Sequence, residues 1–181
     1  MLITNTACFT GHRPSKLLGG YDYSSEANLK LANALEKEII HLYNSGVTHF
    51  ICGGALGVDQ IAFSVLQRLR DVEDFYITIE LAIPFEGFES QWIPASKKLH
   101  SEHIILADKV TVVDKDDRYQ TKVQVGKYHP FKMEMRNRYM VDNSLYVIAV
   151  FDGSKSGTAN CINYAQKQNR EISIINPNNI K

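Results

Sequence analysis

Segments that predict β-strands and segments that predict helices alternate along almost the whole chain, and this alternation constrains the fold more than any other feature. Short, β-leaning apolar runs are separated by stretches in which apolar residues recur at helical spacing. Strands joined by helical crossovers form parallel sheets with helices on both faces. The sequence therefore predicts one α/β domain over residues 1–181, a Rossmann-like three-layer fold whose mainly parallel sheet has about six strands flanked by helices.

Glycine, proline or polar residues bound each of these segments. The expected strands are 2–9, 47–52, 75–84, 110–113, 145–151 and 172–175. The expected helices are 26–43, 58–69, 95–107, 132–141 and 157–167. The stretch 114–130 has little helical periodicity and predicts a long loop, which we interpret as a cover for a ligand pocket, with Tyr119 and Tyr128 as candidate base contacts.

Charge and composition limit the classes of partner. Lysine plus arginine and aspartate plus glutamate balance at 20 each, so no global positive field exists to hold nucleic acid or an anionic membrane. We therefore do not expect nucleic acid or a membrane as a partner.

The cysteines and the N-terminal segment carry two further expectations. Cys8, Cys52 and Cys161 are odd in number and widely spaced, which favours neither a disulfide framework nor a zinc site, and no other ligand cluster demands a metal. Cys8 and Cys52 lie in apolar runs and are interpreted as small core residues. Neither a signal peptide nor an apolar run of membrane length is predicted, so we expect a cytoplasmic protein.

The strand-to-helix loops are where parallel sheets of this kind bind ligands. The loop 53–59 follows a strand and opens an amphipathic helix, so its glycines would let backbone N–H groups approach a phosphate. Its spacing matches neither the dinucleotide fingerprint nor a phosphate loop with a lysine. Asp59 is a candidate for a ribose or metal contact, and the alternative is a tight turn with Asp59 as a helix cap.

Two further loops and one helix carry candidate residues. In the loop 10–14, Arg13 offers planar donors for a phosphate and His12 is a candidate for base stacking or proton transfer, the alternative being a surface turn. The loop 152–158 opens another helix, with either anion binding or a Ser156 or Thr158 cap as its role. On the helix that follows residue 130, Arg136 and Arg138 point about 200° apart, so only one of them can face a ligand.

Taken in order, these segments resemble the SLOG superfamily, which includes the Lonely-Guy phosphoribohydrolases and the DNA-processing protein DprA. The segments 10–14 and 53–59 look most like the YpsA-like branch, and the resemblance covers Ala7 to about Gln168. It implies a Rossmann-like pocket for a nucleotide or nucleotide-derived ligand, lined by both glycine loops, and a homodimer.

The resemblance to the Lonely-Guy enzymes fails at one catalytic position. Met133, Arg136 and Met140 match their Met-x-x-Arg-x-x-x-Met pattern, but their catalytic glutamate corresponds to Cys161 here, beside Asn160. Neither residue is a carboxylate, and general acid–base help is typically worth about 10²–10⁴-fold in rate. Catalysis would therefore need a displaced group, for which the candidates are Asp59, Arg136, Glu134 and His12.

Three functional hypotheses follow. The first is sensing or sequestration of a nucleotide-type ligand, with no further cofactor expected; the second is a nucleotide N-glycosidase with a displaced carboxylate; the third is single-stranded DNA handling as in DprA. The expected ligand-binding residues are Thr10, Gly11, His12, Arg13, Gly53, Gly54, Ala55, Gly57, Asp59, Arg136, Ser156, Gly157 and Thr158.

Overall fold

The computed structural model describes residues 3–180. Its strands are β1 (Thr6–Gly11), β2 (His49–Cys52), β3 (Thr78–Ile83), β4 (Lys109–Val112), β5 (Tyr146–Val150) and β6 (Glu171–Ile175). Its helices are α1 (Glu26–Asn44), α2 (Val58–Val72), α3 (Pro94–Leu106), α4 (Pro130–Asp142) and α5 (Gly157–Lys167). Between residues 3 and 180, no helix is long and apolar enough to cross a membrane.

The six strands form one sheet in the order β4-β3-β2-β1-β5-β6, and every neighbouring pair is parallel. This confirms the predicted Rossmann-like α/β fold. The chain builds the sheet outward from β1 to β4 and then returns to place β5 on the other side of β1. Such a reversal opens a crevice at the carboxyl ends of the two central strands, and ligands bind there in open α/β sheets.

The helices cover both faces of the sheet in two separate layers. Phe9 and Phe50 lie in the core shared with α1 and α2, whereas Cys8 and Ile51, next to them in sequence, lie in the core shared with α4 and α5. This alternation follows from the two-residue period of a strand. The three cysteines are buried and unpaired, as the core interpretation of Cys8 and Cys52 predicts.

Several elements begin or end up to four residues from the predicted position, and two of these differences have a clear local cause. The first strand begins only at Thr6, because Ile3–Asn5 forms a 3-10 turn; Leu2, part of the predicted strand, lies outside the described residues. Helix α4 begins two residues earlier than predicted, at Pro130. Proline is favoured at the first helical position, and the His129 ring caps the Phe131 amide at 3.2 Å.

The 114–130 segment also differs from its predicted role. Tyr119 is buried against Tyr139, and its hydroxyl donates to Asp142 at 2.9 Å. The expectation that Tyr119 contacts a base is therefore wrong, because its ring forms part of the core. Tyr128, in contrast, is exposed.

Candidate functional site

The loops after β1, β2 and β5 meet α4 around a polar pocket of about 70 Å³ at the carboxyl ends of the central strands. Its lining residues come from four separate segments of the chain. They are Phe9, Thr10, Gly11, Arg13, Ala55, Asp59, Arg136, Asn137, Gly157 and Thr158.

A buried ion pair forms the floor of this pocket. Arg136 is 5% exposed and Asp59 is 6% exposed. Arg136 Nη1 lies 3.1 Å from Asp59 Oδ2 and also donates to the carbonyl oxygen of Gly53. The same Asp59 oxygen accepts the Ala55 N–H at 3.0 Å. Since Asp59 belongs to α2 and Arg136 to α4, the pair connects the two helix layers across the end of the sheet.

Gly53 lets the arginine approach this closely. A Cβ on Gly53 would overlap Arg136 Nη1 and lie 2.7 Å from Asp59 Oδ2. The first glycine of the loop therefore makes room for a guanidinium, a role that sequence reasoning had assigned to a phosphate.

The other two glycines of the loop face protein. Gly54 (φ +67°) packs under the loop, where a Cβ would lie 3.1 Å from Leu81 and 3.3 Å from His100. Gly57 has φ +92°, a conformation that favours glycine, and a Cβ there would lie 2.5 Å from the His12 carbonyl oxygen. Neither glycine lines the pocket.

Three backbone donors of the same loop are already engaged. The N–H of Ala55 donates to Asp59, that of Gly57 to the Tyr23 hydroxyl at 3.1 Å, and that of Val58 to the His12 carbonyl at 3.3 Å. Tyr23 and its second partner Gln60, 2.6 Å away, were missed by sequence reasoning. The loop thus contributes Ala55 and Asp59 to the pocket, and these three amides are not free to bind a phosphate.

The electrostatic balance of the lining is positive. Two guanidinium groups, Arg13 and Arg136, face one carboxylate, Asp59. Arg13 lies at the solvent-exposed rim, yet the protein around it desolvates its guanidinium and lowers its pKa, and the charge of Arg136 lowers it further. An anion placed between the two guanidinium groups would relieve this repulsion.

Arg136 also has an unused donor. Its Nε is buried and has no hydrogen-bond partner among residues 3–180. Buried polar groups are nearly always hydrogen-bonded, and leaving one unsatisfied costs about 1–3 kcal/mol. Arg136, a residue of the pocket lining, thus keeps one buried donor for which the described residues supply no acceptor.

Helix α5 brings its first turn to the pocket. Gly157 and Thr158 line it, and backbone N–H groups at the start of a helix have no partner within that helix. Ser156 lies just outside, where its hydroxyl accepts the Ala159 N–H at 3.2 Å and caps the helix. The sequence left anion binding and helix capping open for this loop, and in the structure Ser156 is the N-cap of α5.

His12 lies outside the pocket. It is buried, and its Nε2 is 2.8 Å from Asp152 Oδ1, in the loop after β5. Hydrogen bonds from the side chain and backbone of Ser154, followed by the contact with His12, hold the pKa of Asp152 at about 2. The histidine therefore joins two of the pocket-forming loops and is not among the residues that line the cavity.

Glu134 also lies away from the pocket, on a groove between α4 and α5. It accepts from Arg138 at 2.5 Å, and the Arg138 guanidinium lies over the Tyr164 ring.

The predicted divergence of Arg136 and Arg138 is confirmed, because Arg136 lines the pocket and Arg138 lines the groove. Asn137, which sequence reasoning missed, lines both the pocket and the groove; its position next to Arg136 on the helix was the available signal.

Within residues 3–180, no group of three or more histidine, cysteine, aspartate or glutamate side chains is placed to hold a metal ion.

Fold and site together define a Rossmann-like α/β protein with a polar pocket at the carboxyl ends of its central strands. The model of the family described as the YspA SLOG family (YpsA) matches residues 7–180, and the chain belongs to that family. A prophage-derived protein of Bacillus subtilis, YoqJ, is 40% identical over 119 residues, 65% of this chain and 69% of YoqJ. A UPF0398 protein of Halalkalibacterium halodurans is 26% identical over 177 residues, 95% of this chain and 88% of that protein.

Among solved structures, two DNA processing proteins A (DprA) share the fold. The protein from Streptococcus pneumoniae has a TM-score of 0.62 at 20% identity, over 96% of this chain and 50% of that chain. The second protein is from Helicobacter pylori, and its structure gives insight into the single-stranded DNA binding mode of that protein. It has a TM-score of 0.56 at 18% identity, over 93% of this chain and 64% of that chain. This chain thus spans about half to two thirds of the length of these DprA chains.

These structures correct one expectation. Setting nucleic acid aside as a partner was wrong, because a protein with this fold binds single-stranded DNA. The reasoning failed because a net charge of zero describes the whole chain, whereas the pocket carries an excess of positive charge. The comparisons also give no support to the homodimer that the family resemblance implied.

Proposed function

We propose that the pocket binds the phosphate or another anionic group of a nucleotide or nucleotide-derived molecule, and that the protein senses or sequesters that molecule. The observation that carries this proposal is the buried Arg136, whose Nε is unsatisfied among the described residues while a second guanidinium, Arg13, faces it. The position at the carboxyl ends of β1 and β5 supports it, since this is where α/β sheets bind nucleotides.

The first test measures thermal stability against AMP, ADP-ribose, NAD and cyclic dinucleotides. A ligand at 100 times its dissociation constant adds about 2.7 kcal/mol, which for a domain of this size raises the unfolding midpoint by roughly 5–10 °C. Arg13→Ala should abolish the shift, because the anion then loses one of its two guanidinium partners. The variant should still fold, because Arg13 is exposed and its removal leaves the buried Arg136–Asp59 pair intact. Arg118→Ala, which removes an exposed arginine paired with Asp116 away from the pocket, is the matched control.

The result that contradicts the proposal is equally definite. If no compound shifts the midpoint, or if Arg13→Ala and Arg118→Ala respond to ligand alike, the pocket is not an anion site.

Single-stranded DNA handling is the second candidate, favoured by the fold shared with the DprA structures. Binding of a labelled oligonucleotide would show it, with an affinity that falls as salt rises, by about 0.7 logarithmic unit per phosphate contact for each tenfold increase in salt. Loss of that binding in Arg13→Ala would place the strand at the same pocket. A salt-independent affinity, or none, would count against this candidate.

The glycosidase alternative has no specific observation in its favour. Asp59 is the carboxylate among the described lining residues, and its Oδ2 is already bound by Arg136 and Ala55. Glu134 is on a different surface, paired with Arg138. Chromatography of the bound nucleotide after incubation distinguishes the two activities, because intact recovery supports binding and a released base supports cleavage.

A further inference from the structure

Two exposed tyrosines belong to the loops around the pocket. Tyr21 is 57% exposed in the segment before α1, and Tyr128 is 69% exposed in the segment before α4. Both hydroxyls are near enough to interact electrostatically with the Arg13 guanidinium. Aromatic side chains from two distant parts of the chain therefore lie in the electrostatic surroundings of the same rim residue, outside the residues that line the pocket itself.

Tyr128 is exposed but anchored. Just before it, the Gly126 N–H donates to Asp114 Oδ2 at 2.9 Å, and the buried Lys132 Nζ donates to the same oxygen at 2.9 Å and to the Gln124 carbonyl at 2.7 Å. The ring of Tyr128 meets the Phe85 ring edge-on, with centroids 6.2 Å apart. A buried ion pair thus fixes the loop that presents this tyrosine to solvent.

This arrangement has the two parts that recognition of a nucleotide needs. The guanidinium groups of Arg13 and Arg136 suit an anion, and the exposed aromatic rings near Arg13 offer flat apolar surfaces on which a base can stack. A sugar phosphate or inorganic phosphate would use only the first part.

We infer that Tyr21 and Tyr128 stack on the nucleobase of the ligand whose anionic group lies between Arg13 and Arg136. The inference rests on the proposed function and deepens it, because it makes the base, in addition to the phosphate, a determinant of affinity. The same chemistry is present in a free nucleotide and in one nucleotide of a DNA strand, and the experiment distinguishes these sources.

The experiment compares AMP, ribose 5-phosphate and a short oligodeoxyadenylate by titration calorimetry. We expect Tyr128→Ala to weaken AMP binding about tenfold or more and to leave ribose 5-phosphate unchanged, because stacking is lost while the anion site stays intact. Tyr128→Phe should bind like the wild type, and Tyr21→Ala should reproduce part of the loss. Tyr76→Ala, which removes another exposed tyrosine just before the amino end of β3, is the control.

The outcomes distinguish a failure of base stacking from a failure of the anion site. If AMP binds, Arg13→Ala abolishes binding and Tyr128→Ala changes nothing, the base-stacking inference is overturned and the anion site stands. Equal losses of AMP and ribose 5-phosphate in Tyr128→Ala would also overturn it. If the wild type binds none of the three probes, the proposed function fails and the inference fails with it. Binding of the oligonucleotide without AMP, with loss in Tyr128→Ala, identifies a strand as the source.

Discussion

Arg136 Nη1 occupies the space in which any side chain on Gly53 would have to begin. The glycine and the arginine lie 83 residues apart in sequence, and their contact sets how far the guanidinium reaches into the carboxyl end of the sheet. The identity of residue 53 therefore controls the position of the main charged group of the pocket.

Gly53→Ala should displace the Arg136 side chain and also lower the free energy of unfolding. We expect a loss of about 1–3 kcal/mol, the usual cost of forcing an extra carbon into a packed site, and loss of nucleotide-induced stabilisation. Urea denaturation with and without ligand measures both. Gly157→Ala is the control for stability, since a Cβ there meets no atom within 4 Å. Equal stability of the two variants would contradict this account.

The Arg136–Asp59 pair should be strongly coupled. Asp59→Asn leaves a buried guanidinium without its carboxylate, and breaking a buried pair in this way costs about 3–5 kcal/mol. Arg136→Gln leaves the carboxylate instead, with a similar cost. Because the double variant leaves no buried charge, its loss should be clearly smaller than the sum of the single losses. Additive losses in a double-mutant cycle would show that the two groups act independently.

Acid should destabilise the fold through the histidines of α3. Burial, and then the neighbouring His100, lowers the pKa of His103 to about 4, and burial also lowers the pKa of His100. The folded state thus binds fewer protons than the unfolded chain, whose histidines titrate near pH 6.5. Stability is therefore complete above about pH 6.5 and falls as the pH drops toward 4, for His103 by roughly 3 kcal/mol in total.

His103→Phe isolates this contribution. The His103 ring stacks on Phe63 with centroids 4.1 Å apart, and phenylalanine preserves that stacking without a titrating group. The denaturation midpoint of the variant should fall less between pH 7.5 and pH 5 than that of the wild type. Parallel pH profiles would show that His103 does not titrate as its burial requires.

The Lys132–Asp114 pair should hold the loop that carries Tyr128. Both side chains are buried, and Lys132→Met leaves Asp114 without its cation, at a cost of about 3–5 kcal/mol. Residues 116–129 should then be cut faster by a protease, as read by mass spectrometry of the fragments. Lys127→Met, an exposed neighbour in the same loop, should change neither stability nor cleavage. Unchanged cleavage in Lys132→Met would separate the pair from the order of the loop.

The fold and several pocket residues could be predicted from the sequence because both depend on local pattern. Alternating strand and helix periods identify a parallel sheet, and such a sheet directs attention to the loops that contain Arg13, Asp59 and Thr158. What a side chain does within those loops depends on contacts between distant residues. Sequence patterns therefore could not show that Gly53 accommodates Arg136, or that His12 turns toward Asp152.

Buried polar groups were hidden for the same reason. Glu80 lies in the middle of β3, where its neighbours predict an ordinary strand. Burial alone would raise its pKa, but hydrogen bonds from His49, Tyr139, Thr111 and Lys109 outweigh that effect and hold the pKa at about 2. One of these donors is on β2 and two are on β4, the strands on either side of β3, and the fourth is on α4, so the network exists only after the sheet and its helices have assembled.

The ion pair between α2 and α4 has a mechanical consequence. Elsewhere these helices are separated by the full thickness of the sheet, whereas here the Arg136 guanidinium joins them around the end of the sheet. Since the two members of the pair belong to different helix layers, a substitution that removes either side chain takes away a contact of both layers at once.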